Sequence, residues 1–417
     1  MTDQAKSYDC VVVGAGPGGC LAATLVADAG FRVALIEREK TPRYHVGESM
    51  IPYNYFPLER AGMIEKMQAS DFPKKYSVQF VGQDGRQSQP FYFSQHIDHP
   101  CAQTWQVTRD VYDAMMLENA REHGVEVFEQ MTARDLIEED DRTVGITCVD
   151  PSDAPHEFRA RMTIDASGGK GFAMSRLSWR MLDPNLQKHA IWAYYRGAAR
   201  DPGIDEGATT ITYAGGKNWL WYIPLRDDIV SIGLVGDKDY LFKDTHDLAS
   251  VFQREVDANV WIKERVAPGT LEGDYHVCVH RSYRAKHCAK DGLILVGDAL
   301  TFLDPVFSTG MYLALVSGEH AADAVVEALH AGDVSGRRFQ AYGETICPRI
   351  EVLRRLVYAF YAKDFSFRQL IKKHPDLKGA VTDCLVGNLD QDFTALHEGL
   401  SEFLDLPAPV QHGRAKV

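Results

Sequence analysis

The sequence predicts an α/β protein: a Rossmann-like dinucleotide-binding domain with β-rich insertions and a helical C-terminal region. Three observations predict it. Residues 8–30, YDCVVVGAGPGGCLAATLVADAG, read as a strand, a glycine loop and a small-residue helix. Short alternating segments separated by turns lie between about 125 and 165, and a second β-rich block runs from about 187 to 236. Helical periodicity dominates from about 309 onward. At 417 residues the chain is long for one ordinary domain, so two intertwined or successive domains are expected, with a core able to enclose a sizeable cofactor.

In chain order, Val11, Val12 and Val13 form a buried strand, and Gly14, Gly16 and Gly19 complete G-x-G-x-x-G. Gly14 allows the tight turn, Gly16 lets the backbone approach a pyrophosphate, and Gly19 lets the helix pack on the strand. The helix N-terminus offers amides and a positive dipole end to phosphates. The next strand, RVALIE, ends in Glu37, whose carboxylate suits ribose hydroxyls and disfavours a 2′-phosphate. A helical pattern follows at DVYDAMMLENARE, residues 110 to 122. Up to this point NAD and FAD are equally compatible.

Two later strands, TIDASG (163 to 168) and ILVGDAL (294 to 300), together with QVTRDVYDAMM, resemble the flavoprotein monooxygenases and halogenases built like para-hydroxybenzoate hydroxylase. The resemblance implies FAD, with Asp298 on the ribityl chain and Arg109 beside the diphosphate. It further implies that Arg38, Gly310 and Met311 bind the cofactor, and that Glu48 and Ser49 of RYHVGESMIP lie near the flavin.

The stretch NWLWYIP contains WxWxIP, which within that superfamily resembles the flavin-dependent halogenases of phenol and pyrrole type. Trp219, Trp221, Ile223 and Pro224 match each fixed position. In a strand, Trp219 and Trp221 share a face, and core packing alone would account for such a pair. The resemblance implies instead that all four residues wall a tunnel between flavin and substrate. In DFPKKYSVQF, alternation groups Lys75 with Ser77 and Gln79, and Lys74 with Tyr76, Val78 and Phe80. Alternation leaves open which face meets a site; the resemblance to K-x-x-V-x-F selects Lys75 as the catalytic lysine that aims hypohalous acid. Glycine often stands two residues after this lysine in the phenol- and pyrrole-type enzymes, whereas Ser77 stands here.

In DPVFSTGMYLAL, Ser308, Thr309 and Gly310 open a helix, where free amides favour an anion. The resemblance makes this the halide site, holding chloride or bromide for attack on a flavin hydroperoxide. It also implies reduced FAD as cosubstrate from a separate flavin reductase, and a small aromatic acceptor, free or on a carrier protein. No second G-x-G-x-x-G is evident for a nicotinamide cofactor. The resemblance spans most of residues 8 to 330, and FSFRQLIKKHPDLKGAVTDCLVGNLD looks like the helical cap of these halogenases. The expected units are a Rossmann-like FAD-binding domain with β insertions over 1–180 and a β-sheet substrate domain over 181–285. A return to the FAD domain over 286–330 and a helical region over 331–417 complete them.

A net charge of −13 argues against nucleic acid and anionic membrane as partners. No apolar run has the length of a membrane span, and MTDQAKSYD lacks the apolar stretch of a signal peptide. Eight scattered cysteines without C-x-x-C predict reduced thiols and no metal site, hence a cytoplasmic protein. The competing readings are an aromatic hydroxylase, a geranylgeranyl-reductase-like flavoenzyme, and a non-catalytic flavin-binding protein. Halogenated, hydroxylated or reduced product separates the first three by mass.

Overall fold

A computed structural model describes residues 6–410 and 413–417. Its first sheet has eight strands. Ala289–Lys290, Leu293–Leu295, Pro155–Asp165, Lys6–Val13, Val33–Ile36 and Glu126–Phe128 lie side by side in that order, and Thr132–Glu139 and Arg142–Val149 extend from Pro155–Asp165. Its central pairings are parallel, with Val12 registered against Ile164 on one side and Leu35 on the other. Burial on both faces explains the unbroken valine run, since a strand between two layers has no solvent side to alternate with.

The helix Pro17–Asp28 crosses from Lys6–Val13 to Val33–Ile36, and its glycine-lined start lies where the strand order reverses direction. Gly14 has φ +104°, and a Cβ there would lie 2.4 Å from the Ala166 carbonyl oxygen, so the turn requires glycine. A second close approach involves glycines outside the motif. A Cβ on Gly318, in the long helix Gly310–Ala331, would lie 2.6 Å from the Gly18 carbonyl oxygen, so the two helices pack backbone against backbone.

The second sheet also has eight strands, in the order Thr301–Phe302, Thr270–Ala285, Arg180–Arg196, Ile229–Gly236, Trp219–Pro224, Thr209–Tyr213, Ser77–Val81 and Phe91–Tyr92. The strands Ser77–Val81 and Phe91–Tyr92 thus join this sheet although they fall within the first of the expected units, 1–180. One face packs on helices between Lys238 and Val266 through Leu220, Tyr222, Ile232 and Leu234. The other carries Trp192, Ile211, Trp219, Trp221 and Ile223 toward the first sheet and the C-terminal helix Gln340–Tyr361. No helix among the described residues is long and apolar enough to cross a membrane.

Candidate active site

A cavity of about 820 Å³ begins at the glycine loop, passes the start of the Gly310–Ala331 helix and ends against the tryptophan face of the second sheet. At one end Glu37 is fixed by two backbone amides: Ala15 N–H donates to Oε2 at 2.9 Å and Glu39 N–H to Oε1 at 3.0 Å. Arg38 lies at the exposed rim, paired with Glu39. The DASG turn is locked by Asp165, which accepts from the amides of Ser167 and Ala173 at 3.0 and 2.7 Å.

Asp298 and Arg109 both line this cavity. Arg109 is buried, grips Asp113 through Nε and Nη2 at 2.9 and 3.1 Å, and donates from Nη1 to the Val46 carbonyl at 2.9 Å. Its charge is largely committed to Asp113, so what it presents to the cavity is the ordered loop 45–47. The Asp298 carboxylate accepts no hydrogen bond from a described residue, whereas its backbone carbonyl accepts from Tyr283 Oη at 2.7 Å. Burial raises its carboxyl to about 6, and the Arg109 charge partly offsets this.

FAD fits these residues. A Cβ on Gly16 or Gly310 would meet nothing within 4 Å, which leaves open space along both helix starts, and Asp298 supplies a half-buried carboxylate acceptor without a protein donor. Met311 also lines the cavity.

At the helix start, Ser308 adopts φ +56° and Thr309 is the N-cap with no side-chain capping bond. Neither hydroxyl occupies the end of the helix, whose first amides lack intrahelical acceptors. Ser308 and Gly310 line the cavity, whereas the buried Thr309 is not part of its wall. Any share Thr309 has in holding an anion falls to its backbone.

Trp219, Trp221 and Ile223 line the far end, but Pro224 does not. The expectation that all four form the wall is corrected by strand alternation: 219, 221 and 223 face inward, and Pro224 turns to the other side. The indoles are held by their nitrogens. Trp219 Nε1 donates to Tyr361 Oη at 2.9 Å, Tyr361 donates to Asp304 Oδ2 at 2.9 Å, and Trp221 Nε1 donates to Ser231 Oγ at 3.0 Å. Trp221 lies flat across Gly233, where a Cβ would come within 2.1 Å of the ring.

The strand breaks at Tyr76, so Lys75 belongs to a separate two-stranded ladder with Thr104, yet the expected alternation carries through the break, with Lys75, Ser77 and Gln79 buried and Lys74 exposed. Lys75 departs from expectation in its position relative to the cavity. It is completely buried yet is set one side chain back from the cavity wall. Its Nζ donates to Ser49 Oγ at 2.9 Å and to the Met50 carbonyl at 2.8 Å. Burial, the sole cause, lowers its ammonium to about 7. Lys74 is exposed. Glu48 is buried, accepts from Tyr194 Oη at 2.8 Å and is raised by desolvation.

Several residues in the cavity wall or directly behind it have no place in the sequence reading: Tyr44, Trp192 and Thr209 line it, and Tyr194, Asp304 and Tyr361 hydrogen-bond to residues beside it. Tyr44, Trp192 and Tyr194 form a hydrogen-bonded set, with Trp192 Nε1 donating to Tyr44 Oη at 2.7 Å and the two tyrosine hydroxyls 2.9 Å apart. The alternation of Trp192 and Tyr194 in IWAYYR was their available signal. Thr209, Asp304 and Tyr361 had none of comparable strength.

A glycine-loop nucleotide site facing an aromatic-walled chamber, with a buried lysine one side chain behind the wall, fits the class of FAD-dependent flavoenzymes. A family model described as tryptophan halogenase matches residues 9–106 and 93–369. The 1H-pyrrole-2-carbonyl-(peptidyl-carrier protein) brominase of Pseudoalteromonas luteoviolacea is 31% identical over 392 residues, 92% of each chain. The corresponding chlorinase of Pseudomonas fluorescens is 28% identical over 402 residues, 89% of this chain and 87% of that one. The solved flavin-dependent brominase Bmp2 superposes with a TM-score of 0.86 at 29% identity, covering 95% of this chain and 99% of its own. The chain belongs to the flavin-dependent halogenase family: it is an enzyme, an oxidoreductase of the halogenase type, and its cofactor is FAD.

Proposed function

We propose that this enzyme places chlorine or bromine on an electron-rich aromatic ring, a pyrrole or phenol, either free or tethered to a carrier protein, and that Lys75 governs delivery of the electrophile. The observation that carries this reading is the single cavity joining the glycine loop to Trp219 and Trp221, with buried Lys75 behind Ser49 in its wall. The carrier-tethered pyrroles of the two relatives supply the favoured substrate class.

Bound reduced FAD, delivered by a separate reductase, supplies with dioxygen the oxidising power that turns halide into hypohalous acid. The chain's own residues do the rest. Gly14, Gly16 and Gly19 admit the pyrophosphate, Glu37 takes the adenine-side ribose, and Asp298 takes the ribityl hydroxyls. Arg109 fixes the loop carrying Glu48 and Ser49, while Arg38 closes the rim. The amides of Thr309 and Gly310 hold the halide, beside Ser308 and Met311. A neutral amide cradle polarises a halide without pairing it with a full charge, so the ion keeps its nucleophilicity. Trp219, Trp221 and Ile223 exclude water and bulky arene from the flavin side.

The test is product formed per flavin oxidised, read by the halogen isotope pattern, across a panel of free and carrier-bound pyrroles and phenols with chloride or bromide. Lys75→Ala should bind FAD and consume reduced flavin but lose halogenation by roughly a hundredfold or more, the scale of a lost proton donor. Lys75→Arg should fail as well, because a guanidinium does not release its proton. Lys74→Ala, at an exposed position, should match wild type. Normal product from Lys75→Ala would overturn the role given to Lys75.

A further inference from the structure

Lys75 does not border the cavity, whereas Ser49 and Thr209 do. Ser49 Oγ accepts from Lys75 Nζ at 2.9 Å and lies 2.8 Å from Thr209 Oγ1. Gln106 Nε2 donates to Thr209 Oγ1 at 2.8 Å and to the Gly207 carbonyl at 2.9 Å. A hydroxyl has one hydrogen to donate and two lone pairs. Each hydroxyl of the pair already accepts from outside it, Ser49 from Lys75 and Thr209 from Gln106. Their mutual bond consumes one of their two hydrogens. Whichever way that bond runs, one O–H of the pair is left without an acceptor within the network, on a side chain that faces the cavity.

We propose that Ser49 is the catalytic donor that meets hypohalous acid at the cavity wall, and that Lys75 is the positioning and proton-supplying residue behind it, never halogenated itself. This rests on the halogenase reading above. The aromatic carbon attacks the halogen; the carbon–halogen bond forms as the halogen–oxygen bond breaks, and its electron pair leaves with the oxygen. That oxygen takes the Ser49 proton and departs as water. Ser49 regains a proton from the Lys75 ammonium. The proton lost from the ring carbon returns to the amine through the same hydroxyl. Hypohalous acid and arene give aryl halide and water; the halogen is reduced, the carbon is oxidised, and no further oxidant enters. Lys75 has no charged neighbour contributing to its acidity, so its readiness to release a proton follows from burial alone, and the Phe93 ring, 5.6 Å from Nζ, covers another side.

Two measurements test this. Reductive methylation of the flavin-free protein with formaldehyde should modify Lys74 but spare Lys75, and Ser49→Gly should raise Lys75 labelling by roughly tenfold or more as its cover is removed. Labelling of Lys75 in wild type as readily as Lys74 would overturn the shielded lysine. In the reductase-coupled holoenzyme with pyrrole-2-carbonyl carrier thioester, Ser49→Ala should keep flavin oxidation but lose product per flavin by roughly a hundredfold. Ser49→Thr should restore most of it, because it returns the hydroxyl. Wild-type coupling in Ser49→Ala, with Lys75→Ala inactive, would overturn the serine's role while sparing the halogenase reading. Normal coupling in Lys75→Ala as well would overturn the role given to Lys75, and no halogenated product from the wild-type enzyme across the substrate panel would defeat the halogenase reading itself.

Discussion

A lysine with no exposed surface is an unfavourable residue for a fold to carry. Lys75 titrates near 7 in the native protein, against 10.5 when solvated. Between those values the unfolded chain binds the extra proton, so stability rises with pH across that window; below about 7 both states are protonated and the full cost of burial is present. Lys75→Met removes this dependence. Its stability relative to wild type should therefore fall by about 2–3 kcal/mol between pH 7 and pH 9, at about 1.4 kcal/mol per unit. Chemical denaturation at the two pH values measures it, and parallel curves would show that Lys75 titrates as an ordinary surface lysine. Such a cost at one position is the mark of a group kept for its chemistry.

At the scale of elements, the loop Asp304–Gly310 is where helix, sheet and cavity meet. Gly310 is the first helical residue, a position that tolerates proline because its N–H has no intrahelical acceptor. Gly310→Pro should abolish the halide dependence of turnover, because it deletes the donating amide and pushes Thr309 out of its αR conformation at φ −87° and ψ −8°, while the helix beyond its first turn stays in place. Gly310→Ala and Thr309→Ala keep their amides and should retain most halide affinity. An equal halide response in all three would place the anion elsewhere. The chain Trp219–Tyr361–Asp304 pins this loop to the tryptophan strand and to the C-terminal helix Gln340–Tyr361. Asp304 is buried and raised to about 6, and the Tyr361 hydrogen bond works against that rise. Tyr361→Phe should cost roughly 1.5–3 kcal/mol, the range for a hydrogen bond to a charged group. An unchanged denaturation midpoint would show that Asp304 is already neutral in the fold.

Across the whole molecule, the two sheets present facing surfaces to one long cavity, whose glycine-loop end is the part that would hold FAD. Bound FAD should stabilise by mass action, by about 2.7 kcal/mol at a hundredfold excess over Kd. Gly16→Val is the clean probe. Gly16 lies at φ −76° and ψ 175°, which valine tolerates, and a Cβ there projects into open space. The apoprotein should melt as wild type does, and the FAD-induced rise in Tm should vanish. A preserved rise would remove the glycine loop from the cofactor site.

The sequence by itself determined the features whose physics is local. The glycine spacing, the strand before it and Glu37 after it are dictated by a turn of a few residues. The inward set Trp219, Trp221 and Ile223 follows from the period of a strand, and the same period already excluded Pro224. Membership of the halogenase family was legible in WxWxIP and in the motifs flanking it. Tertiary structure decided what depends on distant partners. Ser49 and Thr209 are 160 residues apart in the chain, and Trp219 and Tyr361 are 142 apart. No periodicity encodes such a meeting. The strand break at Tyr76 follows from two different ladders claiming neighbouring residues: Lys75 pairs with Thr104, while Val78 pairs in parallel with Thr209 of the other sheet. Alternation carries through that break, since Lys75, Ser77 and Gln79 are all buried, but what the buried side chain meets is settled by long-range pairing. Lys75 reaches Ser49 instead of the open cavity because the packing of the two ladders places Ser49 and Met50 in front of its ammonium.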